Sequence, residues 1–226
     1  MKIACIGDSL TEGKPGVSYF KMLKKKYPDI KFVNLGKGGE TVKSLHTRIS
    51  KNKIDRNYDL AFLWIGVNDI YSKLLKVQAQ PITRNSEEFR ECYENVLEII
   101  KQSSKKVVVV SPGLIGETLN SSNRGLLNLS MILKEMSKEH KNVSFIDLHQ
   151  AFTHQLETLQ STDYLSTGLG RLVKDVFLYR SPKSVDRLSA KRGLHLTIDG
   201  VHLNSKGANI VVEEYTKIID QVLAIR

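Results

Sequence analysis

Short apolar runs alternate along the chain with longer segments in which apolar residues recur every three or four positions. The short runs are typical of buried strands, and the longer segments are typical of amphipathic helices. The predicted strands are Lys2 to Ile6, Ile30 to Leu35, Leu60 to Ile65, Lys106 to Ser111 and Val143 to Asp147. This alternation predicts an α/β fold in which a five-stranded parallel sheet lies between two helical layers, a three-layer α/β/α sandwich.

Five helical segments lie between or after these strands. They are Val17 to Tyr27, Thr41 to Ile54, Ser86 to Ser103, Asn123 to His140 and Ser205 to Leu223. No internal repeat, low-complexity stretch or linker interrupts the pattern, and a length of 226 residues suits one large domain. We therefore expect a single domain over residues 1–226.

Cysteine usage and the N-terminal sequence bear on the cellular compartment. Cys5 and Cys92 lack the spacing of a zinc site or a disulfide framework, which is typical of a reducing compartment. The apolar run from Met1 to Ile6 is too short for a secretory signal, and no segment is long enough to span a bilayer. These features predict a cytoplasmic protein without a transmembrane segment.

The formal net charge of +10 raises the question of a polyanionic partner. Clustered Lys and Arg side chains bind nucleic acid and anionic membranes through the release of counterions. Here the basic residues are spread along the chain, and the run Lys24 to Lys26 closes a predicted helix, where cations complement the helix dipole. We expect no nucleic-acid partner, whereas an acidic or phosphorylated substrate is compatible with the charge.

Polar residues follow the predicted strands at the points where the strands end. Ser9 follows the first strand, Gly38 to Thr41 follow the second, and Gly66 to Asp69 follow the third. Asp199 and His202 precede the last helix. Because parallel sheets bind ligands beyond the carboxyl ends of their strands, we expect these four segments to meet at one edge of the sheet.

Ser9, His202 and Asp199 are the residue types from which an activated serine nucleophile is built. An unassisted hydroxyl is a poor nucleophile, so Ser9 needs a base, and the neutral imidazole of His202 has a suitable pKa. Asp199, three residues earlier, can accept a hydrogen bond from the other ring nitrogen and fix the tautomer. The sequence therefore predicts a catalytic triad of Ser9, His202 and Asp199.

Four segments of the chain resemble, in order and spacing, the sequence blocks of the SGNH (GDSL-type) hydrolase family. They are Gly7-Asp8-Ser9-Leu10, the glycine pair after the second strand, Gly66-Val67-Asn68-Asp69 and Asp199-Gly200-Val201-His202. The resemblance covers nearly the whole chain except about residues 152–198. It implies the SGNH hydrolase fold with a flavodoxin-like sheet, and hydrolysis of esters or thioesters through an acyl-serine intermediate.

Negative charge that develops on the substrate carbonyl oxygen requires fixed hydrogen-bond donors, the oxyanion hole. The candidates are the backbone N–H of Ser9, the backbone N–H of Gly39 and the side-chain amide of Asn68. Alignment of the segment from Gly39 to Thr41 with the family pattern favours Gly39, and Gly36 and Gly38 are the alternatives.

Asp8 and Asp69 permit a different reaction, because paired carboxylates at strand ends could hold Mg²⁺ for phosphoryl transfer. Asp8 lacks a second acid two positions away, and the loop from Leu148 to Gln150 has no lysine, which counts against this alternative. A non-catalytic binding module is another alternative, although the complete triad disfavours it. In the preferred interpretation Asp8 supports the nucleophile turn by hydrogen bonds, and no metal or cofactor is required.

The stretch from Phe152 to Ile198 is longer than its counterpart in compact members of the family. Within it, apolar residues at helical spacing predict an amphipathic helix: Leu165, Leu169, Leu172, Val173, Val176 and Phe177. Its basic residues are Arg171, Lys174, Arg180, Lys183, Arg187, Lys191 and Arg192. This elaboration could form a lid that favours anionic acyl substrates, an oligomer contact or a surface helix.

The expected partner is a small-molecule ester or thioester. The triad recognises the reacting acyl group, whereas the pocket walls set acyl length and leaving group. Carboxylesterase, thioesterase, lysophospholipase and carbohydrate deacetylase activities therefore stay open, and a cytoplasmic location favours the first two. The oligomeric state also stays open.

Overall fold

The computed structural model describes residues 1–52, 54–75, 80–167, 179 and 181–224. Its five strands form one sheet in which every neighbouring pair is parallel. They are β1 (Lys2–Gly7), β2 (Lys31–Gly36), β3 (Leu60–Trp64), β4 (Val107–Val110) and β5 (Val143–Ile146). The strand order β2-β1-β3-β4-β5 is that of flavodoxin-like folds and confirms the predicted architecture.

Helices cover both faces of this sheet. The structure describes α1 (Ser9–Glu12), α2 (Tyr19–Lys26), α3 (Val42–Lys51), α4 (Val67–Tyr71), α5 (Ser86–Lys101), α6 (Ser121–Lys138), α7 (Leu148–Leu156), α8 (Pro182–Lys191) and α9 (Ser205–Ala224), with a 3₁₀ turn at Ser72–Leu74. The five predicted helices are all present with shifted ends. For example, α6 begins two residues earlier than predicted, because the Asn120 side chain accepts the Asn123 N–H and caps the helix.

The side chains of β3 show how the two helical layers pack. Phe62 and Trp64 point to the face covered by α2, α7 and α9, and the ring of Tyr215 from α9 stacks on Phe62 with 3.9 Å between centroids. Ala61 and Leu63 point to the opposite face, where the core residues come from α3, α5 and α6. The sheet is therefore buried on both sides, as strands of continuous apolar character require.

The elaboration between β5 and α9 contains two helices that the sequence analysis did not predict, α7 and α8. Ser181 caps α8 through a reciprocal hydrogen-bond pair with Ser184, and Pro182 fills its first position. Most of the predicted amphipathic helix lies outside the described residues, including Leu169, Leu172, Val173, Val176 and Phe177. The basic residues Arg171, Lys174 and Arg180 also lie outside them.

Within the described part of the chain, Cys5 is buried in β1, Cys92 on α5 is half-buried, and neither is in a disulfide. No helix of this part combines the length and the apolar character that crossing a membrane requires.

Candidate active site

Ser9 stands at the carboxyl end of β1, where the chain turns from the sheet into α1. The Asp8 carboxylate accepts the Leu10 N–H at 2.9 Å and so caps α1. Gly7 is needed just before this turn, since a Cβ there would lie 2.1 Å from the Trp64 carbonyl oxygen. The close approach of β1 to β3 thus fixes where the Ser9 hydroxyl emerges, and Ser9 is 8% exposed.

The hydroxyl of Ser9 meets the imidazole of His202, which lies 193 positions further along the chain. Ser9 Oγ and His202 Nε2 are 2.9 Å apart. His202 Nδ1 lies 2.8 Å from Asp199 Oδ2. If Nδ1 carries the ring proton and donates it to the carboxylate, Nε2 is left as the acceptor for the Ser9 hydroxyl. The structure thus brings the three predicted triad residues into one hydrogen-bonded chain.

Asp199 is held in its ionised form by its surroundings. Burial raises the pKa of its carboxyl, but the charge of His202 and hydrogen bonds from His202 and Val201 outweigh burial and hold the pKa below its usual range. The second carboxylate oxygen, Oδ1, accepts the backbone N–H groups of Val201 at 3.0 Å and His202 at 2.8 Å. An ionised Asp199 favours the imidazolium that forms when His202 takes a proton.

Asp199 and His202 belong to a tight hairpin turn. The turn is closed by the bridge between Thr197 and Leu203 and by the Ile198 N–H, which donates to the His202 carbonyl at 2.7 Å. Gly200 adopts φ +93° within it, and a Cβ there would lie 2.9 Å from the Tyr164 carbonyl oxygen. Backbone conformation and space both require glycine at this position.

The glycine-rich loop after β2 lies against Ser9, since a Cβ at Gly38 would be 4.0 Å from the Ser9 Cβ. The Gly36 N–H donates to the Asn34 side chain at 2.9 Å, and the Gly38 N–H donates to the Glu12 carboxylate at 2.7 Å. Among the described residues the Gly39 N–H has no acceptor, and its Cα faces open space at φ +74°. Of the three glycines, Gly39 is therefore the one whose donor is free to meet a ligand.

Asn68 and Ser9 contribute the other predicted donors. Asn68 lies on α4 at the carboxyl edge of the sheet, where its Nδ2 donates to the Glu40 carbonyl at 2.9 Å. This bond uses one of the two amide hydrogens and orients the other. Ser9 is the first residue of α1, so its backbone N–H has no acceptor within the helix. The structure thus places the donor groups of Ser9, Gly39 and Asn68 in the segments that follow β1, β2 and β3, at the start of α1, in the glycine-rich loop and at the start of α4.

The loop that carries Gly39 is fixed by three charged residues, Glu40, Arg48 and Asp69, of which the sequence analysis gave only Asp69 a possible role, as a metal ligand. The buried Glu40 carboxylate pairs with Arg48 of α3 through two bonds of 2.7 Å. Arg48 also donates to the Leu35 carbonyl at 2.9 Å. Asp69 of α4 accepts the Val42 N–H at 3.0 Å, which ties the start of α3 to α4. Because these bonds join neighbouring elements, the loop after β2 is held rigidly.

Comparison with protein families identifies this arrangement, because residues 5–210 match the model of the GDSL-like lipase/acylhydrolase family. The chain belongs to this family. It is a GDSL-type esterase/acylhydrolase, and the resemblance of its four sequence segments to the family is confirmed.

Relatives of this esterase include acetylxylan esterases. An acetylxylan esterase of Geobacillus stearothermophilus is 26% identical over 181 residues, which cover 70% of this chain and 80% of the relative. A solved acetylxylan esterase structure from Geobacillus stearothermophilus superposes with a TM-score of 0.68 at 21% identity, covering 96% of this chain and 92% of that one. A lipolytic protein of the G-D-S-L family from Veillonella parvula DSM 2008 gives a TM-score of 0.65 at 16% identity, with 96% and 97% covered. These structures share the SGNH hydrolase fold.

Asp8 and Asp69 are buried acids of this esterase with raised pKa values. Burial raises the pKa of each to about 7, and the negative charge of Asp8 contributes further to the shift at Asp69. Each carboxylate accepts a backbone N–H, from Leu10 and Val42 respectively. This use of the two side chains as backbone acceptors does not favour the phosphoryl-transfer alternative.

A possible set of metal ligands occurs elsewhere on the esterase. Within the described ranges, Glu94 and Glu98 of α5 and His140 have ligand atoms that lie within 4.8 Å of one another. Lys101 Nζ already lies 3.0 Å from His140 Nδ1 and 2.5 Å from Glu98 Oε1. A resident ammonium group therefore already contacts two of the three members of this cluster, which is not part of the site around Ser9.

Glu117 is the main residue at the site that sequence reasoning missed. It follows the carboxyl end of β4, and its carboxylate binds the segment that leads into the Asp199 turn. The rule that functional residues follow the ends of parallel strands applies to it as well. The sequence alone did not show which distant segment this acid would contact.

Proposed function

We propose that this esterase hydrolyses carboxylic esters of small acyl groups through an acyl-Ser9 intermediate. The observation that carries the proposal is the unbroken hydrogen-bonded chain from Ser9 Oγ through His202 to Asp199. In the proposed reaction His202 is the general base, and Asp199 orients the imidazole ring and stabilises the imidazolium that forms.

The reaction begins when the Ser9 hydroxyl attacks the ester carbonyl carbon and gives its proton to His202 Nε2. The carbonyl oxygen becomes an oxyanion, which accepts hydrogen bonds from the N–H groups of Ser9 and Gly39 and from the Asn68 amide. His202 then donates the proton to the leaving alcohol oxygen as the ester bond breaks. In the second half, His202 takes a proton from water, the resulting attack releases the acid, and Ser9 regains its proton.

Variants of a relative support these roles. Solved structures of the Geobacillus stearothermophilus acetylxylan esterase include three that are described as catalytic mutants, in which a serine, an aspartate or a histidine is replaced by alanine. In that enzyme the aspartate precedes the histidine by three positions, as Asp199 precedes His202 here.

Acetyl esters of carbohydrate hydroxyls are the substrate class that we propose first. The support is the curated relative at 26% identity, which is an acetylxylan esterase. Thioesters and longer acyl esters are the alternatives, because the same triad chemistry acts on all of them.

A panel of esters tests the proposal. Acetyl, butyryl and octanoyl p-nitrophenyl esters, an acetyl thioester and acetylated xylo-oligosaccharides would be compared for the wild type, Ser9→Ala and the control Ser50→Ala, whose serine is exposed on α3. We expect acetyl esters to be preferred, Ser9→Ala to be inactive and Ser50→Ala to match the wild type. Equal activity of Ser9→Ala would contradict the mechanism, and a preference for octanoyl or thioester substrates would contradict the substrate class.

A further inference from the structure

The hairpin turn that carries Asp199 and His202 is held from outside by the loop that follows β4. Glu117 of this loop is buried, with only 6% of the residue exposed. Its carboxylate contacts a segment that is distant in the sequence, since Thr197 comes 80 positions later. Among the described residues no cation pairs with it, so neutral donors alone surround its charge.

Five hydrogen bonds converge on the two Glu117 oxygens. Oε1 accepts the Leu196 N–H at 2.8 Å, the Thr197 N–H at 2.7 Å and the Thr197 hydroxyl at 2.7 Å. Oε2 accepts the His195 N–H at 2.6 Å and the Ser161 hydroxyl at 3.2 Å. Since every partner donates, only an acceptor-only group satisfies all of them together.

These bonds fix the strand of the hairpin that leads directly to Asp199. The Thr197 hydroxyl also accepts the Gly200 N–H at 3.2 Å, so it links Glu117 to the turn itself. The neighbouring Gly116 N–H donates to the Gly200 carbonyl at 2.7 Å. The loop after β4 therefore holds the turn both at its base and at its tip.

We propose that Glu117 is a positioning residue for catalysis, which holds the Asp199–His202 pair at the distance from Ser9 that proton transfer needs. The inference rests on the proposed function, because it assigns Glu117 a role in the action of that triad. Glu117 does not touch the reacting atoms, and it acts through His195 to Thr197 and the turn beyond them.

Glu117→Gln tests this role with almost no change of volume. If the Gln oxygen takes the place of Oε1, the Gln NH₂ group takes the place of Oε2. It then faces the His195 N–H, so that two buried hydrogen-bond donors point at each other without an acceptor. We expect kcat for acetyl esters to fall about 10- to 100-fold while KM changes less than about twofold, since small misplacements of catalytic groups have costs of this size. Glu157→Gln, an exposed glutamate after α7, is the matched control and should match the wild type.

The pH profile separates positioning from a loss of folded protein. A loosened Asp199 stabilises the imidazolium of His202 less, so the acidic limb of kcat/KM should move to lower pH in Glu117→Gln. Asp8 also interacts electrostatically with His202, and this interaction is present in both proteins. A variant that merely folded less well would show the wild-type pH profile once its activity at each pH is divided by the folded fraction at that pH. Circular dichroism and thermal unfolding would measure the folded fraction.

Thr197→Val is the second variant, and it tests the positioning role of Glu117 if Glu117→Gln fails to fold. It keeps the shape but removes the hydroxyl that joins Glu117 to Gly200, and we expect kcat to fall at least about threefold at unchanged KM. Wild-type kcat and an unmoved acidic limb in a folded Glu117→Gln, or in Thr197→Val if the first variant does not fold, would overturn the positioning role alone. A wild type that hydrolyses no ester would overturn both this inference and the proposed function.

Discussion

At the scale of single residues, the polar side-chain atoms of the triad already have defined partners. Asp199 uses one oxygen for two backbone N–H groups and the other for His202 Nδ1. This division leaves Nε2 as the only ring atom available to Ser9. The ring orientation and tautomer of His202 therefore follow from the Asp199 carboxylate.

Asp199→Asn should abolish most activity while the fold is kept. The Asn amide can donate to His202 Nδ1, which would shift the ring proton to Nε2 and leave no acceptor for the Ser9 hydroxyl. We expect kcat to fall by about 10³- to 10⁴-fold, with KM for an acetyl ester little changed. Circular dichroism would confirm the fold, and a kcat within tenfold of wild type would contradict this assignment of roles.

Asn68→Ala tests the proposed oxyanion donor. The substitution removes an amide that binds the Glu40 carbonyl and has a second hydrogen directed elsewhere. Loss of one such donor should lower kcat about 10²- to 10³-fold with a smaller effect on KM. Asn209→Ala, an exposed asparagine on α9, is the control. If Asn68→Ala kept more than half of the wild-type kcat, Asn68 would not be an oxyanion donor.

At the scale of elements, the loops at the carboxyl edge of the sheet are held by buried side chains from their neighbours. Asp69 of α4 binds the first N–H of α3, and Glu40 binds Arg48 one turn before the end of α3. The buried Asp69 carboxyl lowers the stability of the folded state, because within the described chain its Oδ1 has no hydrogen-bond partner. Because burial also raises the pKa of the Asp69 carboxyl, ionisation of this group makes the folded protein less stable.

Asp69→Asn should weaken the pH dependence of stability. The Asp69 pKa is about 7 in the folded protein and 3.8 in the reference state, so the folded protein binds more protons between these values. Its stability is then greatest at low pH and decreases as pH rises from about 4 to 7. Each unit of difference corresponds to about 1.4 kcal/mol, so the decrease due to Asp69 is of the order of a few kcal/mol.

Urea unfolding at pH 5 and pH 8 measures this effect. The asparagine keeps an acceptor for the Val42 N–H but cannot ionise. The free energy of unfolding should decrease more between the two pH values in the wild type than in Asp69→Asn. An equal decrease in both proteins would show that Asp69 ionises normally.

The elements differ in how well their sequences predict them. The strands are short runs, of which Val107 to Val110 is wholly apolar and buried on both faces, and their positions could be predicted to within two residues. The helix α8 was not predicted, because it has only ten residues and buries only two of them, Val185 and Ser189. The approach of Ser9 to His202 could be predicted from the residue types of a serine triad together with the rule on strand ends, whereas the bonds of Glu117 depend on packing between segments far apart in the chain.

At the scale of the whole molecule, the site depends on the complete fold. The first strand supplies Ser9, and the turn before the last helix supplies His202, 193 positions later. The last helix is anchored on the sheet by Tyr215, which stacks on Phe62 of the central strand β3. Packing of α9 on the sheet therefore brings the base to the nucleophile.

Covalent labelling of the native protein with a fluorophosphonate, followed by intact mass and by peptide mapping, tests whether Ser9 is an activated nucleophile. We expect one adduct per chain on Ser9, none on Ser9→Ala, and labelling of His202→Ala slower by at least about 100-fold, because the hydroxyl then lacks its base. A wild type that gains no mass, or a Ser9→Ala variant that is labelled as fast as wild type, would contradict the role of Ser9 as the nucleophile.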